Sequence, residues 1–240
     1  MPMMRYLLAP LMLLLLLPFA QPLPAQDLPR YKVEMLFFRN TDPEAFYSEH
    51  WPLAEGLDAP AGERQGVPES FRLLPDSEYT LADAEKRLQA SPRYQVLTHL
   101  VWIQPGLDRE HALPMPVSAG RDFSLEYPER MASRWETNEQ GETVEIPGPT
   151  SLNELDGSVR LVLGRYLHIY TDLVLRQPVI VEQLDEVTQQ MGEQKTLFDV
   201  PIRSHRRMRS RELHYIDHPL LGILIQVTPV EEEAPPADHG

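Results

Sequence analysis

Hydrophobic and polar positions alternate over short stretches of this chain, and prolines separate those stretches. From Tyr31 to Arg39 the sequence reads YKVEMLFFR, with Tyr31, Val33, Met35 and Phe37 set against Lys32 and Glu34, a period of two that predicts a strand. Residues 43–75 are broken by prolines and glycines and read mostly as loop, with one short helix around Glu44 to His50. Thr80-Leu81-Ala82-Asp83 then fits a capping box, and Leu81, Ala84 and Leu88 recur at helical spacing before Ser91-Pro92 stops the run. A helix over about 80–91 follows. Arg93 to Gln104, rich in β-branched and aromatic residues, predicts the next strand, so residues 31–104 read as a β-α-β unit.

Residues 105–156 contain six prolines and no sustained period, and are expected to form a long, largely irregular insertion with a short hairpin. Order returns at Val159 to Arg176, where Leu161, Leu163, Leu167, Ile169, Leu173 and Leu175 share one face, as a long strand or as two broken near Gly164. Gln177 to Gln194 reads as an acidic connector, helical around Val181 to Gln190. Residues 196–228 read as two or three strands, with a turn at Asp217-His218-Pro219 and Leu220 to Thr228 as a buried strand. The expected fold class is α+β: an antiparallel-rich β-sheet with one helix and long irregular connectors, formed by a single domain over residues 26–229. The tail at 230–240 is acidic, carries prolines and is expected to be disordered.

Composition changes that picture at both ends. Residues 1–25 read as a secretory signal peptide: Arg5 is the lone charge, the apolar run from Tyr6 to Leu17 includes five consecutive leucines, and Ala20 and Ala25 offer cleavage points, with Ala25 preferred because Gln26-Asp27 follows. The run is shorter than the roughly 20 residues that span a bilayer, although an uncleaved anchor is the alternative. The expectation is an exported, soluble, periplasmic protein with no stable span after cleavage. Cysteine is absent from the 240 residues, which excludes disulfides, thiolate metal sites and lipidation at a lipoprotein box.

The formal charge of −14 argues against a nucleic-acid partner, but the charge is unevenly spread. Residues 93–103, 158–177 and 201–229 carry +1, +2 and +3, while 26–92, 104–157, 178–200 and 230–240 carry −6, −7, −4 and −4. The later predicted strands are basic, and the connectors supply the acidity.

The densest chemical signal lies at 203–218, RSHRRMRSRELHYIDH. Arg203, Arg206, Arg207, Arg209 and Arg211 place guanidiniums where, on a strand, Arg207, Arg209 and Arg211 would share a face. Such groups bind carboxylates or phosphates through paired hydrogen bonds, or are neutralised by the chain's own carboxylates. His214, Asp217 and His218 have a loosely metal-like spacing, but a turn before Pro219 explains Asp217 better. Glu34, Glu212 and Asp217 could be posed as paired carboxylates for glycosidic hydrolysis. Trp102, Tyr166, Tyr170 and Tyr215 lie on strand-like segments, where they either pack in the core or offer faces to sugars; Trp51 and Trp135 lie in loop-like regions. The common motifs of nucleophilic hydrolases, zinc peptidases and nucleotide-binding enzymes are missing, and no cofactor is expected.

Three blocks carry a family resemblance. Arg206-Arg207-x-Arg209-x-x-Glu212-x-His214-Tyr215-x-Asp217-His218-Pro219-x-x-Gly222-x-Leu224 closely resembles the signature of the CsiV family of periplasmic proteins. Tyr31-x-Val33-Glu34 with Phe37-Phe38-Arg39, and Arg165-Tyr166-Leu167-His168 before Asp172-Leu173, agree in the same order. The resemblance implies a non-catalytic peptidoglycan-binding accessory protein. It also implies support of cell-wall synthesis by a bifunctional penicillin-binding protein, through that enzyme's outer-membrane lipoprotein activator. The chemistry of the residues themselves nominates Arg206, Arg207, Arg209, Arg211, His214, Tyr215, Tyr166 and His168 as contacts for peptidoglycan or an acidic partner, with no catalytic or metal site. Two alternatives stay open: an envelope hydrolase or metal-dependent enzyme centred on His214 and Asp217, and a protein–protein adaptor that does not bind glycan.

Overall fold

The computed structural model describes residues 28–49, 51, 66–138, 140–184 and 191–231. The expected signal peptide and nearly all of the acidic tail lie outside them. The protein is α+β and rich in antiparallel sheet, as its pattern predicts.

Strand β1 (Arg30–Asn40) is the centre of the first sheet. It runs antiparallel to β3 (Tyr94–Pro105) on one side and to β11 (Leu221–Pro229) on the other; β10 (Leu213–Ile216) and the two-residue β2 (Arg72–Leu73) complete the edges. The second sheet has the order β4 (Pro114–Asp122), β7 (Asn153–Leu163), β8 (Leu167–Leu184), β9 (Met191–Met208). Val33, Met35, Phe37 and Ile225 of the first sheet share one core with Leu155, Ile169, Leu173 and Ile202 of the second. The two sheets therefore bury their inner faces against each other.

The first sheet is covered on both sides. Six consecutive buried residues, Val33 to Phe38, mark β1 as a central strand rather than the half-exposed one that its alternation predicts. Its far face is covered by helix α2 (Ala82–Gln89), which comes directly before β3 in the chain. Because β1 and β3 are antiparallel neighbours, this unit is not a parallel β-α-β crossover. The expected capping box is also replaced. Thr80 directs its hydroxyl to Glu34 on β1, and the Leu81 amide donates to Glu34 Oε1 at 2.7 Å, so a carboxylate from the sheet serves the helix start. The short helix near residue 44 is α1, Glu44–Tyr47.

Two connectors differ from expectation for one reason. Residues 105–156 hold β4, a 3-10 turn at Pro128–Met131, the hairpin of β5 (Arg134–Thr137) and β6 (Thr143–Ile146), and the start of β7. The expected acidic connector after Gln177 is instead a continuation of β8, paired with β9 from Arg176↔Asp199 out to Leu184↔Met191, so residues 181–184 are strand and not helix; residues 185–190 lie outside the described residues. Prolines suggested breaks in both places. Yet Pro114 and Pro116 lie on edge strand β4, Pro201 on edge strand β9, and Pro178 on β8 beyond the last pair with β7, Leu155↔Leu175. Each sits where its strand has a neighbour on one side only, a place where proline is tolerated.

Candidate functional site

The second sheet turns one face to the core, and its other face is partly open. Along β7, β8 and β9, Val159, Leu161, Ile169, Leu173 and Ile202 point inward, so the residues between them point outward. The register lines these outward residues up in three rows across the strands: Ser158–Asp172–Arg203, Arg160–Tyr170–His205 and Val162–His168–Arg207. At one end of this face a small second cluster, Phe123, Tyr127, Leu152 and Leu197, covers the sheet, and Arg130 is anchored there to Asp199 at 2.6 Å. The remainder is a groove of about 770 Å³, closed along one side by Leu113, Pro114 and Arg109.

Cations and rings dominate the groove. Tyr170 and His205 stack in parallel, with centroids 4.3 Å apart and an interplanar angle of 5°. The Arg109 guanidinium sits 5.1 Å from the Tyr170 ring centre and donates to the Tyr170 hydroxyl. His168 Nδ1 and His205 Nε2 are 2.9 Å apart and share a hydrogen bond. Beyond the last row, Tyr166 is half exposed, with the Arg207 guanidinium 4.8 Å from its ring centre and that of Arg165 at 5.7 Å. One carboxylate answers these charges directly: Asp172 accepts from Arg203 Nε at 2.9 Å. Arg160, Arg165 and Arg207 have no carboxylate partner among the described residues. Burial, together with the charges of His205, Arg109 and Arg207, holds the His168 pKa below its ordinary value, so the imidazole is neutral at pH 7.

The expected contact residues divide into four groups. His168 and Arg207 lie on the same outward face, in the row at the edge of the groove, and Tyr166 lies just beyond them. Arg206 pairs with Ile169 and lies on the opposite side of β9. Arg209 and Arg211 do not continue the strip, because β9 ends at Met208 and Arg211 turns with φ 67°. They pair with Glu212 at 3.6 Å and Glu231 at 3.0 Å, the self-neutralised arrangement. His214 fastens that turn, accepting from the Arg209 amide at 3.3 Å. Tyr215 lies on the first sheet, stacked on Phe38 and donating to Asp217 at 2.9 Å; burial and that carboxylate push its pKa up to about 12.

The imagined carboxylate set of Glu34, Glu212 and Asp217 is not assembled at one point: Glu34 serves the start of α2, Glu212 pairs with Arg209, and Asp217 accepts from Tyr215. Among the described residues no cluster of three or more His, Asp or Glu could hold a metal ion. Trp102 is buried in the core, Trp51 packs against His218 at 5.1 Å, and Trp135 is exposed on the β5–β6 hairpin.

The nominated set omitted Arg109, Arg160, Arg203, Tyr170 and His205. Extending the period of two from β8 across to β9 groups Arg203, His205 and Arg207 opposite the inward Ile202. Arg109 reaches Tyr170 from a loop, and no local pattern marks it.

The face combines guanidiniums, imidazoles and a tyrosine ring around a shallow groove, a surface chemically suited to an anion. The family profile described as peptidoglycan-binding protein, CsiV, matches residues 7–230, and the chain belongs to that family of peptidoglycan-binding proteins. No curated protein and no solved structure matches it. Among the described residues no helix is long and apolar enough to cross a membrane.

Proposed function

We propose that this chain is a non-catalytic periplasmic protein that holds peptidoglycan in the groove of its second sheet. We propose further that it thereby supports cell-wall synthesis by a bifunctional penicillin-binding protein, through the outer-membrane lipoprotein activator of that enzyme. The observation that carries the reading is the set of three outward rows, which gathers Arg160, Arg203 and Arg207 around His168, Tyr170 and His205 on one accessible face. Peptidoglycan is a polymer that repeats anionic stem peptides along a glycan, so several shallow contacts of this kind add up along it. Tyr166, half exposed and flanked by two guanidiniums, offers a ring face at the end of the groove. His214 and Asp217, the centre of the alternative metal-dependent enzyme, are engaged by Arg209 and Tyr215.

Co-sedimentation with purified sacculi tests the groove. Replacing Arg160 and Arg207 together with Ala weakens binding by roughly tenfold or more, since a hydrogen bond to a charged group contributes about 1.5–3 kcal/mol. The double variant binding like the wild type would remove the groove from the account. Muropeptide release from the same sacculi, lost on His214→Ala, would instead favour the hydrolase. For the partner, the purified lipoprotein activator is expected to be retained on immobilised protein, and no retention would end that part of the reading.

A further inference from the structure

In the groove, the ring faces are largely occupied by one another. Tyr170 has His205 on one side and the Arg109 guanidinium over its ring, and His168 stacks on His205 with centroids 5.1 Å apart. What remains for a ligand is N–H groups: the guanidiniums of Arg109, Arg160, Arg203 and Arg207, against the single carboxylate of Asp172. Guanidiniums in excess of carboxylates match an anion, and match a flat carboxylate best. The peptidoglycan glycan is uncharged along its backbone, and its carboxylates belong to the stem peptides.

The histidine pair adds a second property. When the pair holds two protons, one of them lies in the His168 Nδ1···His205 Nε2 contact. The two remaining nitrogens, His168 Nε2 and His205 Nδ1, have no hydrogen-bond partner among the described residues. Whichever tautomer is present, one of these two carries the second proton and the other is a bare lone pair. A carboxylate accepts hydrogen bonds and offers none, so a bare nitrogen repels it. One added proton makes both remaining nitrogens donors and keeps the central hydrogen bond.

We propose that the groove takes the carboxylates of stem peptides as its ligand, and that the His168–His205 pair takes up one proton as the anion enters. This rests on the assignment of peptidoglycan to the groove made above. The charged and titratable groups facing the pair are Arg109 from the loop before β4, Arg160 on β7, Tyr170 and Asp172 on β8, and Arg203 and Arg207 on β9, with Arg165 and Tyr166 at the β7–β8 turn. Burial and the cations among them disfavour a proton on His168 in the empty groove. An entering carboxylate offsets that field and makes the added proton favourable. The sign follows: affinity for anionic wall rises as pH falls, and levels off once His168 is protonated without ligand.

Sacculus co-sedimentation from pH 8 to pH 6 tests this, because the stem carboxylates, with ordinary values of about 4, stay ionised throughout. The wild type is expected to bind more tightly toward pH 6, by up to about tenfold per pH unit, the limit for one linked proton. His168→Asn and His205→Asn are each expected to flatten that dependence and to bind at pH 6 about as weakly as the wild type at pH 8. Sacculi whose carboxylates have been converted to neutral amides are expected to bind the wild type at least about tenfold more weakly at pH 6. A flat wild-type profile, or an undiminished slope in both histidine variants, overturns the proton uptake. Equal binding to amidated sacculi overturns the ligand class. Should Arg160→Ala with Arg207→Ala bind normally, the groove itself is wrong; should that variant lose binding while the pH profile is flat, the proton uptake alone fails.

Discussion

At the scale of single residues, the sequence conceals one feature that the fold depends on. Glu34 alternates with Val33 and Met35 as a solvent-facing strand residue would, yet it is buried beneath α2, bonded to His99 Nε2 at 3.0 Å, while His99 Nδ1 contacts Glu85 at 2.8 Å. Burial alone would favour neutral His99, but the hydrogen bonds and charges of Glu34 and Glu85 outweigh it and raise the imidazole pKa. Burial also opposes ionised Glu34, and the bonds from His99, Thr80 and Leu81 outweigh that, lowering its pKa. A raised histidine stabilises the fold below its unfolded value of about 6.5 and loses that contribution as pH rises through the folded value. Urea denaturation should therefore show stability declining above about pH 6.5. The Glu34 contribution runs the other way, lost as pH falls below the ordinary carboxylate range. His99→Gln should cost roughly 3 kcal/mol at pH 6, by leaving the buried Glu34 carboxylate without its cationic partner, and should abolish the alkaline decline. An unchanged alkaline decline in that variant would contradict the pairing. The arginine-rich block was legible as chemistry but not as geometry, because a positive φ at Arg211 ends the strip where strand parity would continue it. Replacing Arg209 and Arg211 together with Ala should accordingly leave sacculus binding within about twofold of the wild type, as expected for exposed, self-neutralised pairs.

Among the elements, strands with a strong apolar signal and no internal proline were legible: β1 from its period of two, β3 from its β-branched and aromatic residues, β11 from its continuous apolar run, and α2 from its 3.6-residue spacing. Strands β4 and the outer halves of β8 and β9 were not, because proline reads as a break unless it is known which strands lie at an edge. Register is likewise absent from local sequence, and it is register that sets Arg160, Tyr170 and His205 in one row. One glycine allows the close approach of β7 and β8. Gly157 has φ 137°, and a Cβ there would lie 2.2 Å from the Asp172 carbonyl oxygen and 2.8 Å from Leu173 Cα. Gly157→Ala should lower stability by about 2–3 kcal/mol in urea denaturation and displace Asp172 from Arg203. A variant as stable as the wild type would show that the strands part there at little cost.

For the whole molecule, a net charge of −14 conceals a division of labour. The acidic residues cluster in connectors, including Glu136, Glu142 and Glu145 of the β5–β6 hairpin, whereas the outward face of the second sheet gathers arginines. Low-dielectric walls and a single opposing carboxylate strengthen the local field, so the groove attracts an anion that the average charge would repel. Sacculus binding should therefore weaken with added salt in the wild type and become shallower in its salt dependence when Arg160 and Arg207 are removed. The most direct test is to map the contact itself, by following backbone amide chemical shifts of the isotope-labelled protein as soluble disaccharide stem-peptide fragments of the wall are added. Shifts are expected to concentrate at residues 158–162, 166–172 and 203–207. Shifts concentrated instead around Phe38 and Tyr215, or in the β9–β10 turn at 209–212, would contradict it.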